Sequence, residues 1–155
     1  MISVAEAEAR IVAALRVTNA ETVSIADAAG RVLAADAIAN FDQPPAPVSS
    51  MDGYAVRAAD AVIAPSTLRV TGSSPAGHPF AGSVKPGEAV RIFTGGVVPN
   101  GADAIVIQEN TEASGDGVTI KNQGKHGQHI SKAGLEFAKG DALATAGRMV
   151  RARDV

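Results

Sequence analysis

FDQPPAPVSSMDGYAV, residues 41–56, is where the character of the chain changes. Pro44, Pro45 and Pro47 hold the backbone extended and withdraw amide donors, so the stretch predicts a stiff exit from one lobe into another. Upstream, Ser3-Val4-Ala5-Glu6 has capping-box spacing, and Val4, Ala7, Ile11, Ala14 and Leu15 recur at helical intervals that fade at Thr18-Asn19. That pattern predicts an amphipathic helix of about four turns, packed against a neighbour. Thr22-Val23-Ser24-Ile25 alternates like a short strand, Ala26 to Gly30 reads as a helical turn closed by glycine, and Arg31 to Ala39 reads as extended.

Downstream of the prolines the apolar runs are short: Val56, Leu68 to Val70, Ala89 to Phe93, Ala104 to Ile107 and Val118 to Ile120. Turn signals separate them at Pro86-Gly87, Pro99-Asn100-Gly101 and Ser114-Gly115-Asp116-Gly117. Strands at this density predict an all-β lobe, barrel- or sandwich-like, over residues 48–121. A glycine-rich stretch, Asn122 to His129, brackets the lobe on its far side. The expected class is therefore α+β, with an elongated α/β lobe of residues 1–47 plus 122–155 carrying the β lobe as an insert. Residues 1–40 should pair with 128–147. Arg148 to Val155 brings no stop signal, and Asp154 suits an N-cap with no helix after it, so the chain reads as cut rather than finished.

Composition narrows the function classes. At 155 residues a single compact domain buries roughly 70% of its unfolded surface, enough for a core without staples. With no cysteine, disulfides and thiolate metal sites are excluded. Lys+Arg number 14 against 16 Asp+Glu, which leaves no basic surplus for a phosphate backbone, and four Phe with one Tyr give few platforms for bases. No nucleic-acid partner is expected. Glu6, Glu8 and Arg10 interrupt any leader-like apolar run near the N-terminus, and no stretch reaches the length of a membrane span. The expected setting is the cytoplasm, without a membrane partner.

Among local motifs, Gly124-Lys125 is followed by His126 and makes no phosphate loop, and His126 with His129 reads as a solvated loop pair rather than a metal site. Asp52, followed by Gly53, is either a hard oxygen ligand or a turn former. Thr94-Gly95-Gly96, directly after an apolar strand, is either an oxyanion nest with an extra hydroxyl donor or a glycine bulge. Spacing alone leaves both pairs of readings open.

The combination is more specific. Gly30-Arg31-Val32-Leu33-Ala34, Pro44-Pro45, Ser50-Met51-Asp52-Gly53-Tyr54-Ala55-Val56 and Arg91-Ile92-Phe93-Thr94-Gly95, followed by Pro99 and Gly101-Ala102-Asp103-Ala104, resemble the molybdopterin molybdenumtransferase family. The animal gephyrin E domain is a relative. The resemblance runs the length of the chain and is that of the family's N-terminal portion. It implies insertion of molybdate into adenylylated molybdopterin with release of AMP, assisted by a divalent cation such as Mg²⁺. It further implies Asp52 and Thr94 as catalytic residues, Asp52 as the metal contact, and Ser50, Met51, Gly53, Tyr54, Gly95 and Gly96 as substrate-binding residues. The partners it implies are a second copy of the whole protein, in a homodimer, and other proteins of molybdenum cofactor biosynthesis. The fragment is expected to be inactive alone, and a non-catalytic module for dimerisation or docking is the competing expectation. Two departures stand out. Gly96 replaces an alanine common in the family, which should loosen the loop, and Gln128-His129 replaces the usual acidic pair.

Overall fold

The computed structural model describes residues 2–155. Its one α-helix, α1 (Val4–Ala14), starts as the capping box requires, with Ser3 Oγ accepting from the Glu6 amide at 3.2 Å. The helix stops short of the expected four turns and buries none of its side chains. Val4, Ile11, Val12 and Leu15 are all exposed, so the apolar stripe is real in sequence but meets no neighbour within the described residues. The strand expected at Thr22 to Ile25 does not form. Ser24 Oγ instead accepts from the Ala26 amide and caps a 3-10 turn, Ile25–Asp27, an alternative that short hydroxyl side chains offer the backbone.

Ten short strands follow: β1 (Ala37–Ile38), β2 (Val48–Ser49), β3 (Gly53–Val56), β4 (Ser66–Ser74), β5 (Glu88–Ile92), β6 (Ala104–Ile107), β7 (Thr111–Ser114), β8 (Gly117–Ile120), β9 (Ile130–Ser131) and β10 (Ala142–Ala144). Six of them make one sheet in the order β6-β3-β5-β4-β8-β7, while β1 pairs with β10 and β2 with β9. The two outer strands of the large sheet, β6 and β7, are joined only by the 3-10 turn Gln108–Asn110. Opposite edges separated by three residues require the sheet to curl, as a half-barrel does. The class is α+β, as expected.

Register explains why so few large residues suffice for a core. β3 lies antiparallel to both β5 and β6, matching Tyr54 with Arg91 and Val106, and Val56 with Ala89 and Ala104. Side chains alternate across a strand, so Tyr54, Val56, Ala89, Ala104 and Val106 share one face and pack with Leu68, Val118 and Ile120. The opposite face holds Ala55, Val90, Ile92 and Ile105, covered by Phe80, Val84, Val98 and Ile130. Each fully buried Val or Ile removes apolar surface from water, for about 1.5–3 kcal/mol. Burial on both faces is why the central strands read as continuous apolar runs rather than as alternating ones.

Contacts divide the chain into two units, Met1–Ala37 with Ala144–Val155, and Ile38–Leu143. These divisions lie outside the 47/48 and 121/122 boundaries read from sequence. The proline segment is one reason. It is no free linker: Gln43 bridges Phe137, Pro44 O accepts from the Gly134 amide, and Pro47 O accepts from the Val98 amide. Within the smaller unit a short antiparallel ladder ties residues 30–33 to 147–150. Gly30 N donates to Val150 O, Leu33 N to Arg148 O and Gly147 N to Leu33 O. Residues 128–143, expected in the outer lobe, belong to the larger unit.

Candidate functional site

The pairing of Gly53 with Ile92 determines the site. Asp52 immediately precedes β3 and Phe93-Thr94 immediately follow β5, and antiparallel register brings those two ends together although 42 positions separate the residues. The contact is direct: Asp52 Oδ1 accepts from the Thr94 amide at 2.7 Å and from Thr94 Oγ1 at 2.8 Å. Oδ2 accepts no hydrogen bond from the described residues, and Asp52 is only half-buried. One carboxylate oxygen is thus clamped and the other is available. The Thr94 amide, then its hydroxyl, hold the Asp52 carboxyl below the usual carboxylate range, with the Arg91 charge adding to them and partial burial opposing.

The amides of Thr94, Gly95 and Gly96, for which an oxyanion nest is one of two readings, all have partners within the fold. The Thr94 amide serves Asp52, the Gly95 amide donates to Ser49 O at 2.8 Å, and the Gly96 amide donates to Phe93 O at 2.8 Å. These donors build the turn. Gly95 sits at φ +79°, where an L side chain is strained. Gly96 is buried, and a Cβ there would stand 2.2 Å from Ser74 O. Far from loosening the loop, glycine at 96 lets it press against β4, and alanine would require the two backbones to separate.

The remaining expected residues divide by exposure. Ser50 and Met51 are on the surface; Ser50 N and Oγ both donate to His129 O, at 3.0 and 3.1 Å. Gly53 and Tyr54 are buried in β3. A Cβ on Gly53 would lie 2.1 Å from Val106 O, so glycine is what allows β6 to close against that end. Tyr54 belongs to the core. Gln128 and His129 hold this end of the fold through the main chain: Gln128 O accepts from the Ile105 amide, and His129, in the left-handed region at φ 56°, supplies the carbonyl for Ser50. Those roles belong to the backbone and survive loss of the acidic pair.

Sequence reasoning assigned no part to Arg91 or Gln108. Arg91 Nη1 donates to Gly53 O and Nη2 to Gln108 Oε1, both at 2.8 Å, while the Gln108 amide donates to Asp52 O. The guanidinium lies over the Phe93 and Tyr54 rings, 4.7 and 5.2 Å from their centroids. The signal was present: Arg91 is the one charge inside the run Ala89 to Phe93. No group of three or more metal-ligating side chains exists among the described residues, and no helix among them is long and apolar enough to cross a membrane.

Comparison with known proteins places this geometry. The family description "MoeA N-terminal region (domain I and II)" matches residues 2–155. Among curated relatives, a molybdopterin molybdenumtransferase of Haemophilus influenzae is 38% identical over 131 residues, covering 84% of this chain and 32% of the relative. Molybdopterin molybdenumtransferase 2 of Mycobacterium tuberculosis is 38% identical over 154 residues, covering 97% and 38%. The chain therefore spans about a third of the length of these relatives. Of solved structures, a molybdopterin biosynthesis moeA protein from Pyrococcus horikoshii superposes with a TM-score of 0.85 at 30% identity, over 96% of this chain and 39% of that one. A match spanning every described residue, carried by the same fold, shows that this chain belongs to the MoeA N-terminal region family.

Proposed function

We propose that this chain supplies one wall of a molybdenum-inserting site, in which molybdate is transferred to adenylylated molybdopterin and AMP is released. The observation that carries the reading is the divided carboxylate of Asp52, one oxygen fixed by Thr94 and the other available at a strand end. Its chemistry fits a hard divalent cation such as Mg²⁺ as one ligand only, because such ions commonly take one or two carboxylates and complete their shells with water and phosphate oxygens. When bound, the cation would neutralise phosphate charge. Asp52 would orient that region of the substrate, Thr94 would hold Asp52 in one rotamer, and Ser50 and Met51 would border the bound ligand. Gly53, Tyr54, Gly95 and Gly96 would act by shaping the turn that carries them.

The same reading makes the chain inactive by itself, since it spans about a third of its curated relatives and would leave the pterin unheld. The test is Asp52→Ala in a protein that joins this chain to the remaining length of those relatives, assayed for molybdenum transfer to adenylylated molybdopterin with Mg²⁺. Loss of a preorganised charged group should lower kcat by roughly 100-fold or more. Transfer within threefold of the parent would reject the reading.

A second reading is favoured by α1, whose exposed Val4, Ile11, Val12 and Leu15 form an unpartnered stripe. In that view the smaller unit joins two copies of the protein in a homodimer. Sedimentation of the longer protein with Ile11→Lys and Leu15→Lys separates the two. A shift to monomer with transfer retained would make the stripe a dimer contact unconnected with the chemistry.

A further inference from the structure

We infer that Arg91 is a positioning residue: its guanidinium fixes the main chain at the carbonyls of Asp52 and Gly53 and so aims the free carboxylate oxygen. The inference rests on the proposed role of Asp52, and deepens it. Arg91 lies opposite Tyr54 in the β3–β5 register, one residue before Ile92, which is opposite Gly53. From there Nη1 reaches the carbonyl of Gly53, the residue after Asp52. Nη2 reaches Gln108 Oε1, and Gln108 returns the link by donating its backbone N–H to the carbonyl of Asp52 at 3.0 Å. Asp52 O and Gly53 O, successive carbonyls, are therefore both tied into one Arg91–Gln108 bracket.

The bracket is stiff because Arg91 is confined. Its guanidinium lies over the Phe93 and Tyr54 rings, and cation–π contacts of this kind limit its rotamers. With the main chain held by the bracket and Oδ1 held by the Thr94 amide and hydroxyl, little freedom remains to the Asp52 carboxylate. Lysine is a poor substitute, since one ammonium cannot match a planar fork that meets a carbonyl and an amide oxygen while stacking on two rings. Arg91 touches no reacting atom in this account and acts through Asp52.

The test compares Arg91→Met, which keeps the apolar stem, with Arg91→Lys, reading amide hydrogen exchange in this chain by NMR. In Arg91→Met the Thr94 and Gln108 amides, which donate to Asp52, should exchange at least roughly tenfold faster while Val56 and Ala89 keep their protection. Arg91→Lys should restore part of the difference. In the longer protein Arg91→Met should lower kcat with KM for adenylylated molybdopterin within about threefold. Unchanged Thr94 and Gln108 exchange, or faster exchange throughout β3 and β5, would overturn the inference in favour of simple packing. Should Arg91→Met fail to fold, Gln108→Leu releases one arm of the bracket, and faster Thr94 exchange is again required. The exchange result does not depend on activity, so positioning can hold where Asp52→Ala shows the transferase reading to be wrong, and can fail where that reading is right.

Discussion

Asp52 commits one oxygen to Thr94 and leaves the other without a hydrogen bond from the described residues, and the consequence is a dependence of stability on pH. Its carboxyl is held below the ordinary value in the folded chain, chiefly by the Thr94 amide and hydroxyl. A depressed folded pKa adds stability above the unfolded value, near pH 4, which is lost as pH falls through the folded one. Asp52→Asn should therefore flatten the acid limb of a urea-midpoint profile taken below about pH 4, while Asp154, also depressed, continues to contribute slope in the same direction. A mutant profile that superposes on the parent's would show that the clamp contributes nothing to folding. The glycines allow a second check at this scale. Gly96→Ala must open the contact with Ser74 O, and Gly53→Ala the contact with Val106 O, each for roughly 1–3 kcal/mol of overpacking, read as a lower denaturant midpoint at unchanged m. Asp52 and Thr94 were legible in sequence as candidates. What sequence could not convey was that the Thr94 and Gly95 amides are consumed internally, because their acceptors, Asp52 and Ser49, lie far away in sequence and are brought near only by tertiary pairing, while Gly96 bonds Phe93 O within the turn itself.

Among elements, β3 and β5 carry the structure and α1 does not. β3 is buried along its whole length and Val90 and Ile92 of β5 are fully enclosed, whereas an isolated helix of 11 residues is marginal in water. Amide exchange should accordingly be slowest at Ala55, Val56 and Val90 and fastest through α1, with Ser3→Ala accelerating the helix further by removing its cap. Protection of α1 equal to that of β3 would mean that its stripe is covered in solution. The strands from Ala89 to Phe93, Ala104 to Ile107 and Val118 to Ile120 were readable because continuous apolar runs between turn residues have few other uses. Thr111–Ser114 was not, because β7 is polar and is held by backbone pairing to β8 across the Gly115-Asp116 turn. Thr22 to Ile25 failed in the opposite direction, its alternation overruled by a serine cap.

For the whole molecule, the asymmetry between the two units predicts how the chain comes apart. Both core clusters lie within Ile38–Leu143, while among the described residues the smaller unit has no side chain as enclosed as theirs. Limited proteolysis should cut first between residues 15 and 24, an exposed stretch without regular structure, and spare Ile38–Leu143 longest. Cleavage near Pro44 to Pro47 instead would show that the proline segment is exposed between lobes rather than tied down by Phe137, Gly134 and Val98. The central claim, that Thr94 serves molybdenum insertion through Asp52, is tested most directly by a double-mutant cycle of transfer rates in the longer protein, using Asp52→Asn, Thr94→Val and the pair. The clamp predicts that Thr94→Val alone slows transfer roughly tenfold and that the pair is no slower than Asp52→Asn alone. Multiplying losses would contradict it, showing that Thr94 meets the substrate independently of Asp52.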